Sequence, residues 1–243
     1  MNHNIQAEPW YSPKQIVEGF QYLLRLYTEE ELKDRLFQRA REMFTGSVNL
    51  LGAYELGPEN LYFLQSNNQT ASPDVMAVKQ VVHNKTIHAM VTQMEVVDMD
   101  DNAPTDDIIE FLKKTKLAPT KAYNEHDMIV LTINRKVPYN SQAVHEALKK
   151  LNPKPTIYVL GRKVGANDGD FMISTPWPTL YPPIDYNIIT TAAKYTLPYR
   201  VQFNLGVDTE IKYDKVSTLS KVSLYEVLGI DKTKTDKKFG AKI

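Results

Sequence analysis

Ser72-Pro73-Asp74-Val75-Met76-Ala77-Val78 and Val91-Thr92-Gln93-Met94-Glu95-Val96-Val97 read as the two arms of a β-hairpin. Both are rich in β-branched and apolar residues, and a turn signal at Asn84-Lys85 lies between them. A two-residue loop at that turn makes i + j constant along the ladder, so His83 faces Thr86 and Asp74 faces Glu95. Two facing carboxylates are oxygen donors of the kind that hold Mg²⁺ or Mn²⁺. Gln93 lies two residues before Glu95 and shares its strand face, which makes it a candidate contact to metal or phosphate.

Outward from the hairpin, helix and strand signals alternate. Ser12-Pro13 is a capping hydroxyl followed by Pro at the first turn, and Ile16, Phe20, Leu23, Leu24 and Tyr27 then recur at helical spacing. Thr28 with Glu31 forms a capping box opening a second helix, which carries Leu32, Leu36, Ala40 and Met43 and is expected to end near Gly46. Residues 50–65, punctuated by Gly52, Gly57 and Pro58, read as a connection with a short strand at 62–65.

On the other side, Pro104-Thr105-Asp106-Asp107 begins a helix whose apolar face is Ile108, Ile109, Phe111, Leu112 and Leu117 and whose end carries Lys113, Lys114 and Lys116. Residues 127–133 form an apolar run such as a strand buried on both faces shows. A helix capped by Ser141 and a second buried strand at 156–160 follow, the order of a parallel crossover. The expected fold class is α/β, a mixed central sheet flanked by helices, over residues 1–173. From Ser174 the composition turns to Pro and Tyr, which predicts a smaller β-containing region at 174–230 with a hairpin turned at Gly206-Val207-Asp208. A basic, frayed tail is expected at 231–243, where five Lys meet two Asp.

Twenty-nine Lys and Arg balance 29 Asp and Glu, so attraction to a polyanion needs a local patch. The lack of cysteine excludes disulfides, thiol nucleophiles and Cys-ligated zinc. The first ten residues carry no apolar h-region and no run of about 18 apolar residues occurs, so a cytoplasmic protein with no membrane association is expected. Phosphate-loop, dinucleotide and nucleophile-elbow patterns are absent. His145-Glu146 lacks the second His of a zincin, and an EF-hand reading from Asp98 puts Ala103 at the glycine and Ile109 at the closing glutamate. The acids from Asp98 to Asp107 are better explained as helix-start residues.

Pro73-Asp74, Glu95 and the element order from Glu29 to Arg162 resemble the PD-(D/E)XK nuclease superfamily, with its restriction-endonuclease-like fold. The resemblance implies a metal-dependent endonuclease, a hydrolase using Mg or Mn, with DNA or RNA as partner. Asp74 and Glu95 would be its catalytic metal ligands. Val97 stands where the family carries lysine. Some members draw the basic residue from the next helix, which nominates Lys113, Lys114 or Lys116, and some take another acid from the preceding helix, which nominates Glu42 as a further metal ligand. Trp177 and Tyr181, in the Pro/Tyr-rich span, are candidates for stacking bases. The alternative, favoured by Val97, is a non-catalytic nuclease-fold subunit binding nucleic acid, a protein partner or a second copy of itself. A third reading is a structural protein with no nucleic-acid role.

Overall fold

The hairpin register organises a single mixed sheet. The computed structural model describes residues 9–66, 73–83, 86–118, 121–162, 165, 167, 169–196, 200–203, 211–214 and 224–242. In chain order the elements are β1 (Trp10–Tyr11), α1 (Pro13–Leu26), α2 (Glu29–Leu32), a 3₁₀ turn (Arg35–Phe37), α3 (Gln38–Leu56), β2 (Tyr62–Ser66), β3 (Val75–His83), β4 (Thr86–Met99) and α4 (Ile108–Thr115). Then come β5 (Met128–Ile133), α5 (Ser141–Leu151), β6 (Thr156–Gly161), β7 (Asp170–Trp177), β8 (Tyr181–Asn187), α6 (Ile188–Lys194), β9 (Arg200–Phe203), β10 (Ile211–Asp214), α7 (Leu224–Val227) and α8 (Lys232–Phe239). The strand order is β10-β9-β1-β2-β3-β4-β5-β6-β7-β8. The β4-β5 and β5-β6 pairs are parallel and the others antiparallel.

β3 and β4 pair from Val75↔Met94 to His83↔Thr86, the register that a loop at Asn84-Lys85 requires; the loop itself lies outside the described residues. From Met94 onward β4 also pairs with β5. β3 begins at Val75, so the far half of β4 is bordered by β5 alone among the described strands, and the two carboxylates sit at this divergence.

Alternation along β5 separates two cores. Met128 and Val130 join the cluster under α1, α3, α6 and α7, while Ile129 and Leu131 join the one under α4 and α5. The continuous apolar run is thus explained by burial on both faces. Among the described residues no helix is long and apolar enough to cross a membrane.

Three expectations need correction. The capping box at Thr28 is present, but it opens only α2. The long helix is α3, which passes Gly46 and Gly52 and ends at Leu56. Both glycines mark close approach to the sheet: a Cβ at Gly46 would lie 3.1 Å from Leu64 and Met94 side-chain atoms, and one at Gly52 2.7 Å from Ile173 Cδ1. Second, Asn140 rather than Ser141 caps α5, accepting from Ala143 N at 3.0 Å.

Third, the described strands within 174–230 complete the same sheet. β7 and β8 extend it past β6, and β8 is the last strand, where Pro182 and Pro183 cost no interior ladder bonds. β9 and β10 pair as the predicted hairpin but add to β1 at the opposite edge; the turn at 206–208 lies outside the described residues. Much of the expected tail is α8, whose Phe239 ring sits 5.8 Å from that of Phe37, and Lys242 beyond it bonds Glu31 at 2.8 Å.

Candidate functional site

Asp74 precedes the first residue of β3 and, by the register, stands opposite Glu95. Its Oδ2 accepts from Val96 N at 2.7 Å, a backbone donor that β3 no longer covers. Glu95 is almost fully buried, 4 % exposed, beside α4. Lys116 caps that helix at its C-terminal end, and its Nζ lies 2.5 Å from Glu95 Oε2 and 3.4 Å from Asp74 Oδ2. Burial disfavours the Lys116 charge, but the Asp74 charge and the hydrogen-bonded Glu95 outweigh it, and its pKa is raised. Lys116 is therefore an ammonium at neutral pH, able to donate hydrogen bonds and stabilise negative charge but not to accept a proton.

Only one of the three nominated lysines reaches the acids. Lys114 turns outward to Glu110, 2.5 Å away, and Lys113 lies exposed on the rim of a separate cavity. Lys116 differs from both in place: it is the C-cap, where the chain leaves α4. Val97, where the resemblance leads one to expect a lysine, packs against the α4/α5 core.

Glu42 comes from α3. Its pKa is raised, foremost by burial; a hydrogen bond from Gln38 (2.8 Å) opposes this, the Asp74 charge adds to it, and Arg41 and Lys116 oppose it. Glu42 thus lies in the electrostatic field of the pair but makes no ion pair with Lys116 among the described residues. An acid with a raised folded pKa destabilises the fold at pH values above it and costs nothing once both states are protonated. Glu42→Gln is accordingly expected to be more stable than wild type at neutral pH and equal to it well below the unfolded carboxyl pKa of about 4.3. Urea midpoints at both pH values check this, and a variant less stable at neutral pH would remove Glu42 from the site's field.

The remaining nominees lie apart. Gln93 pairs with Met76 and opens onto a surface cleft of about 610 Å³ shared with Asn124, His126 and Lys154. Trp177 is no free platform for a base: its Nε1 donates to Pro153 O at 2.7 Å and its ring packs on the α4/α5 core. Tyr181 is exposed on β8, four strands from β4, which at about 4.8 Å per strand is roughly 19 Å.

Tyr123 carries no signal in the sequence, standing in the connection between α4 and β5. Its hydroxyl is buried without a hydrogen-bond partner among the described residues, and its pKa is raised by burial and then by the charges of Glu95, Asp74 and Asp127. Only its place between a helix and a strand that both border the site points to it.

The donor chemistry suits a hard cation. Mg²⁺ is commonly held by one or two carboxylates with water completing its shell. Asp74 Oδ1 and Glu95 Oε1 take no hydrogen bond from any described residue. Among the described residues no group of three or more His, Asp or Glu is placed to hold a metal, so a cation here would rest on the two acids alone.

Comparison with known families, curated proteins and solved structures finds no match.

Proposed function

We propose that the protein is a metal-dependent phosphodiesterase acting on nucleic acid, with a restriction-endonuclease-like arrangement of its site. One observation carries the reading: Lys116 comes from the helix after the hairpin and meets both Asp74 and Glu95, the acids that the hairpin register sets face to face. Asp74 and Glu95 would hold Mg²⁺ or Mn²⁺. When bound, such a cation polarises the phosphodiester and makes hydroxide available from water near neutral pH. The Lys116 ammonium would stabilise charge building on the scissile phosphate, the task its protonated state suits. The Tyr123 hydroxyl, buried and without a hydrogen-bond partner among the described residues, lies in the field of both acids.

A second reading is favoured by a different feature. Lys116 already neutralises Glu95 at 2.5 Å, so the triad is self-sufficient as a buried ion-pair network in a non-catalytic nuclease-fold subunit. Titration calorimetry with Mn²⁺ separates the two. The phosphodiesterase reading expects binding by the wild type, its loss in Asp74→Asn and Glu95→Gln, and metal-dependent cutting of DNA or RNA that is lost in step. A wild type that takes up no Mn²⁺ sinks that reading and leaves the scaffold.

A further inference from the structure

A second feature lies beside the carboxylates and is absorbed by neither reading. Between the ends of α4 and α5 is a cavity of about 310 Å³ with Lys113, Lys121 and Lys154 at its rim and Leu117, Ala122 and Pro153 among its apolar walls. No acid lines it. Several lysines elsewhere find carboxylates, Lys114 with Glu110, Lys194 with Glu55, Lys238 with Asp34 and Lys242 with Glu31, while Lys136, Lys149, Lys150 and Lys237 have none among the described residues; what sets the rim three apart is that they surround one cavity. Among the described residues none of the three rim lysines has an acidic partner. Lysines at a helix C-terminus complement its dipole, which accounts for Lys113. Lys121 and Lys154 lie beyond both helices, so that account does not reach them.

The walls are preformed. α5 ends on Asn152 in the left-handed conformation (φ 46°), which turns Pro153 and Lys154 towards α4, and the Trp177 indole fixes the Pro153 carbonyl. Leu117 in the cavity wall directly follows Lys116, whose Nζ bonds both Glu95 and Asp74, so the cavity and the carboxylate centre share the same end of α4. Lys154 also lines the neighbouring cleft, which holds Gln93 and His126 together with Glu125 and Asp127, so the cationic group is confined to the cavity itself. Cations around a partly apolar pocket of this size suit a flat ring attached to phosphate.

Building on the phosphodiesterase reading, we propose that this cavity is a nucleotide subsite. A single-stranded nucleic acid seats there a base next to the position cut, with its phosphates on Lys113, Lys121 and Lys154. A single strand is required because a base stacked in a duplex cannot enter a pocket. This local cation group supplies the attraction that a chain of zero net charge otherwise lacks.

The test is fluorescence anisotropy with labelled single strands of about 12 nucleotides, DNA and RNA, in chelator so that nothing is cut, at about 50 and about 200 mM salt. The wild type should bind with a marked salt dependence, and Lys121→Glu with Lys154→Glu should weaken binding at least about tenfold and flatten the salt slope. Both positions are exposed, so the double variant keeps its fold. A wild type that binds no strand, or a double variant that binds as the wild type does, overturns the subsite. A free nucleoside monophosphate that binds as tightly as the strand overturns the strand assignment. Lysine-dependent binding without metal-dependent cutting overturns the phosphodiesterase reading and keeps the subsite. Metal-dependent cutting with an unchanged KM in the double variant does the reverse.

Discussion

Lys116→Met is expected to destabilise the protein by about 3–5 kcal/mol at neutral pH, the usual cost of removing one partner from a buried ion pair. The side chains of Lys116, Glu95 and Asp74 are 14 %, 5 % and 24 % exposed, so solvent cannot screen the two acids once the ammonium is gone. The penalty belongs to the carboxylates left behind. Urea unfolding at pH 7 measures it, and a loss below about 1 kcal/mol would mean that the pair is not held as described.

The wild type has its own alkaline limb. Lys116 has a raised folded pKa, so its contribution is complete below the unfolded value of about 10.4 and disappears as pH climbs through the folded one. Lys116→Met should lack that limb. The two functional readings also part here. If the acids bind Mn²⁺, saturating Mn²⁺ should return much of the variant's lost stability through mass action, by about 2.7 kcal/mol at a hundredfold excess over Kd. A scaffold pair gains nothing from the ion.

The facing acids were legible in the sequence because a hairpin register is local arithmetic: one turn at residues 84–85 sets every pair up to Asp74 and Glu95. The lysine was legible only as a set of three. Choosing Lys116 needs the point at which α4 ends beside the acids, which depends on how Phe111 and Leu112 pack rather than on spacing within the run. Trp177 was misjudged for a related reason. An aromatic residue in a Pro-rich span looks exposed until the Pro153 carbonyl, 24 positions away, is seen to accept its N–H. The joining of β9 to β1 spans most of the chain, and no pattern in either two- or four-residue strand announces it. Tyr123 and the rim lysines come together through tertiary contact alone.

Gly52 shows the same limit energetically, and its replacement is the other large expected effect. Read along the chain, Gly46, Gly52 and Gly57 are breaks, yet α3 runs through the first two to cross the sheet. Gly52→Ala gains roughly 1 kcal/mol of helix propensity. Against this, the new Cβ would lie 2.7 Å from Ile173 Cδ1 and 2.9 Å from Tyr186 Cζ. The isoleucine tip can rotate away; the tyrosine cannot, because its buried hydroxyl donates to Val48 O of the same helix at 2.6 Å. Relief therefore means lifting α3 off β7 and β8, and a net loss of about 2 kcal/mol is expected for Ala and more for Val. Gly46→Ala is the control, since its nearest atoms, Leu64 Cδ2 and Met94 Sδ at 3.1 Å, are ends of flexible side chains, and it should be close to neutral. Equal thermal midpoints for the two alanine variants would show that α3 does not press on the sheet at Gly52. A selective loss at Gly52 would show that α3 is held at a fixed distance from β7 and β8 by this contact.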